Sequence, residues 1–244
     1  MNQPQVQPLE WDSNFLAFPV GRLAVQQVSA ACLATIVAQS RQTGMRLIYL
    51  VVDPADAGTA AVAIQAGAWL ADRKVTFARA TNTPLAPIQA TVAGSGTVFS
   101  TTTFTPQLEQ LAWQSGAFSR FRLDAQFAPH VFTDLYTQWL HASLASEISR
   151  LVLAYALPTG EEVGLLTLGE QDSKAHIGLL AVTTSARRQG IGHLLVEAAR
   201  QQAYRWACPT LQVVTQRANK LACRFYAQCG FELVREEHIY HLWL

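Results

Sequence analysis

The chain has 244 residues, half of them hydrophobic and only 14% charged, which gives material for one large or two modest cores and excludes a disordered protein. Eighteen Lys and Arg against 17 Asp and Glu leave a formal net charge of +1, so no overall basic field points to nucleic acid or an anionic membrane. The start, MNQPQVQPLEWDSN, lacks the basic head and apolar core of a secretion signal, no apolar run is long enough to span a bilayer, and the expected location is the cytoplasm.

In chain order, VGRLAVQQV reads as a strand, SAACLATIVAQSRQTG as a helix, LIYLVVD as a buried strand, AGTAAVAIQAG as a helix closed by Gly67, and WLADRKVTFARA as a strand. TNTPLAPIQATVAGSG loses periodicity and gathers Pro, Gly, Ser and Thr, so a linker is expected over 81–97 between domains at 1–80 and 98–244. Beyond it come a strand at VFSTTTF, a helix opened by Pro106, a loop AFSRFRLDAQFAPH, and a helix with Phe132, Leu135, Tyr136, Trp139, Leu140 and Leu144 on one face. Strands RLVLAYAL, EEVGLLTLG and HIGLLAV follow. The RRQGIG turn then leads into a helix, a strand LQVVTQ, a helix NKLACRFYAQCG and a closing strand pair in FELVREEHIYHLWL. The expected class is α/β (α+β), with a mixed, mostly antiparallel sheet and helices on both faces.

The four cysteines, Cys32, Cys208, Cys223 and Cys229, follow no CxxC spacing, and no paired histidines accompany them, so neither a structural disulfide nor a metal is expected. RRQGIG stands where an apolar strand passes into a helix. The first turn of a helix offers unpaired backbone N–H groups and the positive end of its dipole, and glycines at 190 and 192 let an anion approach the backbone. Taken alone, the stretch reads rather as a solvated turn whose glycines serve only the turn; it is neither a Walker loop nor a GxGxxG fingerprint.

Residues 98 to 244 resemble the GNAT superfamily of acetyl-CoA-dependent N-acetyltransferases. The resemblance rests on RxxGxG, written here as Arg187, Gly190 and Gly192 after an apolar strand, and on NKLACRFYAQCGF, with its Asn, Phe-Tyr pair and Gly-Phe exit. It implies a turn, Arg187, Arg188, Gln189, Gly190, Ile191, Gly192 and His193, that wraps the pyrophosphate of coenzyme A. It also implies a strand whose backbone at Leu180, Ala181 and Val182 pairs with the pantetheine amides, a bulge that splays that strand from LQVVTQ, a cofactor contact at Asn219, and Tyr226 as the general acid for the leaving thiolate. A phenol suits that role because its ordinary pKa of about 10, above a thiol's of about 8.5, keeps it protonated at neutral pH, while a positioned hydroxyl can still donate as charge develops on the sulfur. His176 is the best-placed titratable candidate for a base, with Glu170 and Asp172 acting through water as alternatives and a merely structural histidine as another.

Within that superfamily, PLEWDSNFLAFPVGRL, SRFRLDAQF, AHIGLLAV and FYAQCGF are similar to enzymes acetylating the 4-amino group of a dTDP-linked 4-amino-4,6-dideoxygalactose. On that reading Arg120 and Arg122 meet the nucleotide diphosphate and Phe121 or Phe127 packs on the base or sugar; the alternative has the arginines pair with Asp124 or cover the cofactor helix. The resemblance also makes a homodimer plausible and implies that residues 1–80 form a smaller, truncated GNAT-like domain. Consistently, IYLVVDPADAGTAAVAIQAG slides onto LQVVTQRANKLACRFYAQCG with Val51 on Val214, Gln65 on Gln228 and Gly67 on Gly230, which sets Ala63 where Tyr226 stands. The other functional classes left open are a GNAT enzyme for a protein N-terminus, polyamine or antibiotic, a non-catalytic acyl-CoA-binding module, and a structural pseudo-enzyme.

Overall fold

A computed structural model of the chain describes residues 4–82 and 96–244. The elements run β1 (Gln7–Pro8), α1 (Glu10–Leu16), β2 (Val20–Val25), α2 (Ala30–Gln42), β3 (Leu47–Val52), α3 (Ala57–Gln65) and β4 (Trp69–Ala80), then β5 (Thr97–Ser100), α4 (Pro106–Ser115), α5 (Arg120–Leu123) and α6 (Pro129–Leu144). They end with β6 (Leu151–Ala156), β7 (Glu162–Gln171), β8 (Lys174–Val182), α7 (Ile191–Arg205), β9 (Thr210–Gln216), α8 (Lys220–Gln228) and β10 (Glu232–Trp243). Most of the stretch read as a linker, 81–97, lies outside the described residues. Among the described residues no helix is long and apolar enough to cross a membrane.

Two compact units divide the chain. The first holds the described residues up to Val75 with Gln216–Ala218 and Arg235–Leu244; the second holds the described residues of Thr76–Thr215 and Asn219–Val234. In the first unit the strand order is β1-β2-β3-β10-β4. β2 and β3 are parallel, from Val20 opposite Leu47 to Val25 opposite Val52, and parallel neighbours need a crossover, which α2 supplies. That helix starts because Ser29 Oγ accepts the N–H of Cys32 at 3.2 Å. Its Leu33 and Ile36 pack with Leu23, Ile48, Leu50, Tyr240 and Leu242 in one core cluster.

The second unit carries the order β4-β9-β8-β7-β6-β5. β5 to β8 are antiparallel in succession, and β8 then pairs with β9 in parallel. β7 is buried without interruption from Val163 to Leu168 because α4 and α7 both pack against it and β8. Gly164 lets α7 approach closely: a Cβ there would meet Leu195 and Ile191 side chains at 3.0 and 3.2 Å.

The structure departs from the sequence reading in three places. The closing pair expected in FELVREEHIYHLWL is one strand, β10, whose C-terminal half lies antiparallel to β3, with His238 opposite Val52 and Trp243 opposite Leu47. The loop after α4 contains the single turn α5, capped by Ser119. The N-terminal β1 and α1 were not anticipated.

α3 and α8 are both nine residues long, with Asp56 and Asn219 capping their first turns through Thr59 N–H and Ala222 N–H, and Gly67 and Gly230 following in the left-handed region at φ 88 and 75. β4 and β10, which follow them, both have 12 residues.

Candidate active site

The site is built on β8. Its N-terminal part is held on both sides: Ala175, His176 and Ile177 pair with Leu211, Gln212 and Val213 of β9, and the other edge pairs with β7. From Gly178 to Val182 the pairing with β9 stops while that with β7 continues, so the two parallel strands splay. A bulge accompanies the change: Leu166 opposes Leu180 and Leu168 opposes Ile177, which sets Gly178 and Leu179 against the single residue Thr167. Thr167 stitches the bulge, its Oγ1 accepting the N–H of Leu179 at 2.9 Å. Gly178 is required there, because a Cβ would meet that oxygen at 2.8 Å.

The direction of the free groups follows. Leu179 donates toward β7, and so does Thr183, whose N–H reaches Val163 O at 2.9 Å. Backbone groups alternate along a strand, so the N–H and C=O of Leu180 and Val182 turn to the splayed edge, and those of Ala181 turn to β7. One of them is taken: Arg187 Nε donates to Val182 O at 2.9 Å. Arg187 also reaches Gln114 Oε1 on α4 at 3.4 Å.

The turn after β8 opens α7. Arg188 has φ 66 and Gly190, the N-cap, φ 82. The helix makes its first bond from Leu194 N–H to Gly190 O, so the N–H groups of Ile191, Gly192 and His193 have no helical acceptor and face an incoming anion. Gln189 is half-buried, and Ile191, 1% exposed, anchors the turn. Gly192 has a second role: a Cβ there would press on the Phe225 ring at 3.2 Å and lie 3.8 Å from Val182 Cγ2. Strand end, helix start and α8 thus converge at Gly192.

α8 brings Tyr226 to this junction beside Phe225. The phenol is 5% exposed, with ring centroids of Phe225, Phe231 and Phe77 at 5.3, 5.7 and 6.0 Å. Burial, and then the neighbouring thiols of Cys229 and Cys223, push its pKa well above the ordinary phenol value. Cys229 Sγ lies 3.8 Å from His193 Nδ1, and burial raises its thiol to about 12. Asn219 spends its amide oxygen on the Ala222 N–H, which leaves the amide nitrogen as its donor.

Other residues singled out from the sequence lie elsewhere. His176 sits where β8 is paired on both edges, opposite Gln212 and Gly169, ahead of the splay. On α5, Phe121 is 7% exposed and packs on Phe127 at 5.5 Å; the Arg120 guanidinium lies over the Phe121 ring, and exposed Arg122 lies 5.3 Å from the Phe132 centroid. Thr167 and Gln114 are site residues that the sequence reading missed. A threonine inside an apolar strand and a glutamine on an amphipathic helix carry no local signal of what they hold.

An open strand edge of alternating donors and acceptors, a turn of unpaired N–H groups and a buried phenol fit a ligand that carries amides, a diphosphate and a leaving thiol. The acetyltransferase (GNAT) family description matches residues 108–231, just over half of the chain. The chain is 29% identical over 226 residues, 92% of each protein, to a dTDP-fucosamine acetyltransferase of Escherichia coli O6:H1. Its fold is similar to that of a GCN5-related N-acetyltransferase from Sphaerobacter thermophilus (TM-score 0.63, 14% identity, 97% of this chain and 75% of that one). It is also similar to a tandem GNAT protein from the clavulanic acid biosynthesis pathway (TM-score 0.57, 17% identity, 92% and 75%). The chain belongs to the acetyltransferase (GNAT) family and is an acetyl-CoA-dependent N-acetyltransferase.

Proposed function

We propose that the enzyme acetylates the primary amine of a nucleotide-linked amino sugar of the dTDP-4-amino-4,6-dideoxygalactose type. The observation that carries this acceptor is the likeness to a dTDP-fucosamine acetyltransferase along 92% of both chains, N-terminal part included. Acetyl-CoA, when bound, supplies the thioester that the amine attacks directly.

The chain's own groups divide the work. The N–H and C=O of Leu180 orient the donor's amides, the Val182 N–H faces the developing oxyanion, and Ala181 holds the strand to β7. Arg187, Arg188, Gln189, Gly190, Ile191, Gly192 and His193 form the diphosphate turn, with the Asn219 amide beside it. Tyr226 is the general acid: burial keeps its proton in place throughout neutral pH, ready to stabilise the departing thiolate. The amine's own proton leaves through water; His176, the candidate base from the sequence, lies ahead of the splay where β8 is paired on both edges. Arg120, Phe121 and Arg122 belong to the acceptor side, and the enzyme works as a homodimer.

The first unit is a truncated GNAT-like domain. The element-by-element match of α3 and β4 to α8 and β10 supports this, and Ala63 in place of Tyr226 leaves that copy without an acid.

Incubation with acetyl-CoA and a panel of dTDP-4-amino-4,6-dideoxysugars, polyamines and short peptides, following thiol release, tests the acceptor. Turnover of a dTDP-amino sugar alone is expected; turnover of peptides or polyamines alone would overturn it.

A further inference from the structure

In the first unit, one carboxylate gathers three cations from three strands. Glu237 of β10 lies 2.8 Å from Arg235 of the same strand, 3.4 Å from Lys74 of β4 and 3.9 Å from Arg22 of β2. Both carboxylate oxygens are engaged: Oε1 by the two arginines and Oε2 by the lysine. The described residues of this unit carry seven Lys or Arg and seven Asp or Glu, so three cations on one anion is a local asymmetry.

Depth makes the asymmetry count. The Glu237 side chain is 9% exposed, whereas those of Lys74, Arg22 and Arg235 are 34%, 42% and 63% exposed. The negative charge is therefore sunk beneath a positive collar, which holds the cations together against their mutual repulsion and leaves their outward N–H groups to solvent. An external anion meets the collar first, at a net excess of two positive charges. Two guanidinium forks and an ammonium suit an anion with several non-bridging oxygens on two centres, which a diphosphate supplies and a carboxylate does not.

We infer that Arg22, Lys74 and Arg235, held by Glu237, form a binding site for a diphosphate, free or esterified to a nucleoside. This site shares no residue with the Arg187–His193 turn and stands whether or not the acceptor is a nucleotide sugar.

The test is calorimetric titration of the full-length protein at low salt, with inorganic pyrophosphate and with dTDP, both under saturating acetyl-CoA so that the turn is occupied. Wild type should bind, more weakly as salt rises, and Arg22→Gln/Arg235→Gln should bind at least about tenfold more weakly while keeping its acetyl-CoA affinity. If the double variant loses acetyl-CoA binding as well, the single Lys74→Gln exchange should still weaken pyrophosphate by about threefold or more and Lys74→Arg should restore it. Tighter binding of dTDP than of pyrophosphate would make the ligand a nucleoside diphosphate; equal binding would make it the diphosphate unit itself. The site is refuted if neither probe binds wild type, or if the variants bind both as wild type does. A dTDP-amino sugar turned over with unchanged KM by variants that still bind pyrophosphate removes this site and leaves the acceptor reading standing. Collar-dependent pyrophosphate binding without turnover of any dTDP-amino sugar does the reverse.

Discussion

Arg187 Nε donates to the carbonyl of Val182 at 2.9 Å, which ties the turn that opens α7 to the last residue of β8. The arginine of RRQGIG therefore works as a strut, with its terminal nitrogen reaching Gln114 on α4. Arg187→Ala should weaken acetyl-CoA by about 1.5 to 3 kcal/mol, the range for a charge-assisted hydrogen bond, and Arg187→Lys should recover little because an ammonium cannot span both partners. Equilibrium titration with acetyl-CoA measures both.

The two glycines of the turn should fail for different reasons. Gly190 stands at φ 82, where a side chain costs about 1 to 2 kcal/mol of backbone strain, so Gly190→Ala should weaken acetyl-CoA binding and Gly190→Val should abolish it. Gly192→Val should instead push the Phe225 ring aside, carry Tyr226 with it, and lower kcat as well as affinity. A kcat against KM comparison of the two separates them.

Thr167 is the hidden part of the opening. Thr167→Val keeps the volume but strands the buried N–H of Leu179, at a cost of about 1 to 3 kcal/mol in chemical denaturation. The bulge loses its stitch, so kcat should fall with stability.

Thiol chemistry reads the burial of α8. Cys208 and Cys229 are buried, whereas Cys32 and Cys223 are half-buried. Burial raises the Cys229 thiol from 9.0 to about 12 and that of Cys208 upward. At pH 8 the native protein should label at Cys32 and Cys223 first and at the other two only on unfolding. Since the folded value is the raised one, the stability linked to Cys229 is full below pH 9 and is lost as pH climbs toward 12; alkaline unfolding should report that sign.

Much of this site was legible in the chain. RRQGIG at a strand-to-helix junction is a local signal that gained its meaning only beside NKLACRFYAQCGF, and Tyr226 stood out through its neighbours in RFYAQCG. The match of α3 to α8 was legible too, because Gly67 and Gly230 close both helices in the left-handed conformation. The bulge at Gly178 and Leu179 was not, since it depends on the register of β7 across the pair and on one hydroxyl inside an apolar strand. The tie from Arg187 to Val182 was not legible either, because the target of its guanidinium is a carbonyl with no sequence signature. Likewise, FELVREEHIYHLWL reads as a strand pair; Glu237 in fact lies within one strand, beside Arg22 and Lys74 from strands far away in sequence.

The most direct measurement of how the enzyme works is the kinetics of Tyr226→Phe beside its acetyl-CoA affinity. Removing one hydroxyl from a ring packed by Phe77, Phe225 and Phe231 leaves the packing in place. The variant should bind acetyl-CoA within about twofold of wild type while kcat falls by about 10² to 10⁴, and the wild-type rate should show no loss from phenol ionisation up to pH 10, because burial has raised that group. Full turnover by Tyr226→Phe would contradict the account and take the proton donor away from α8.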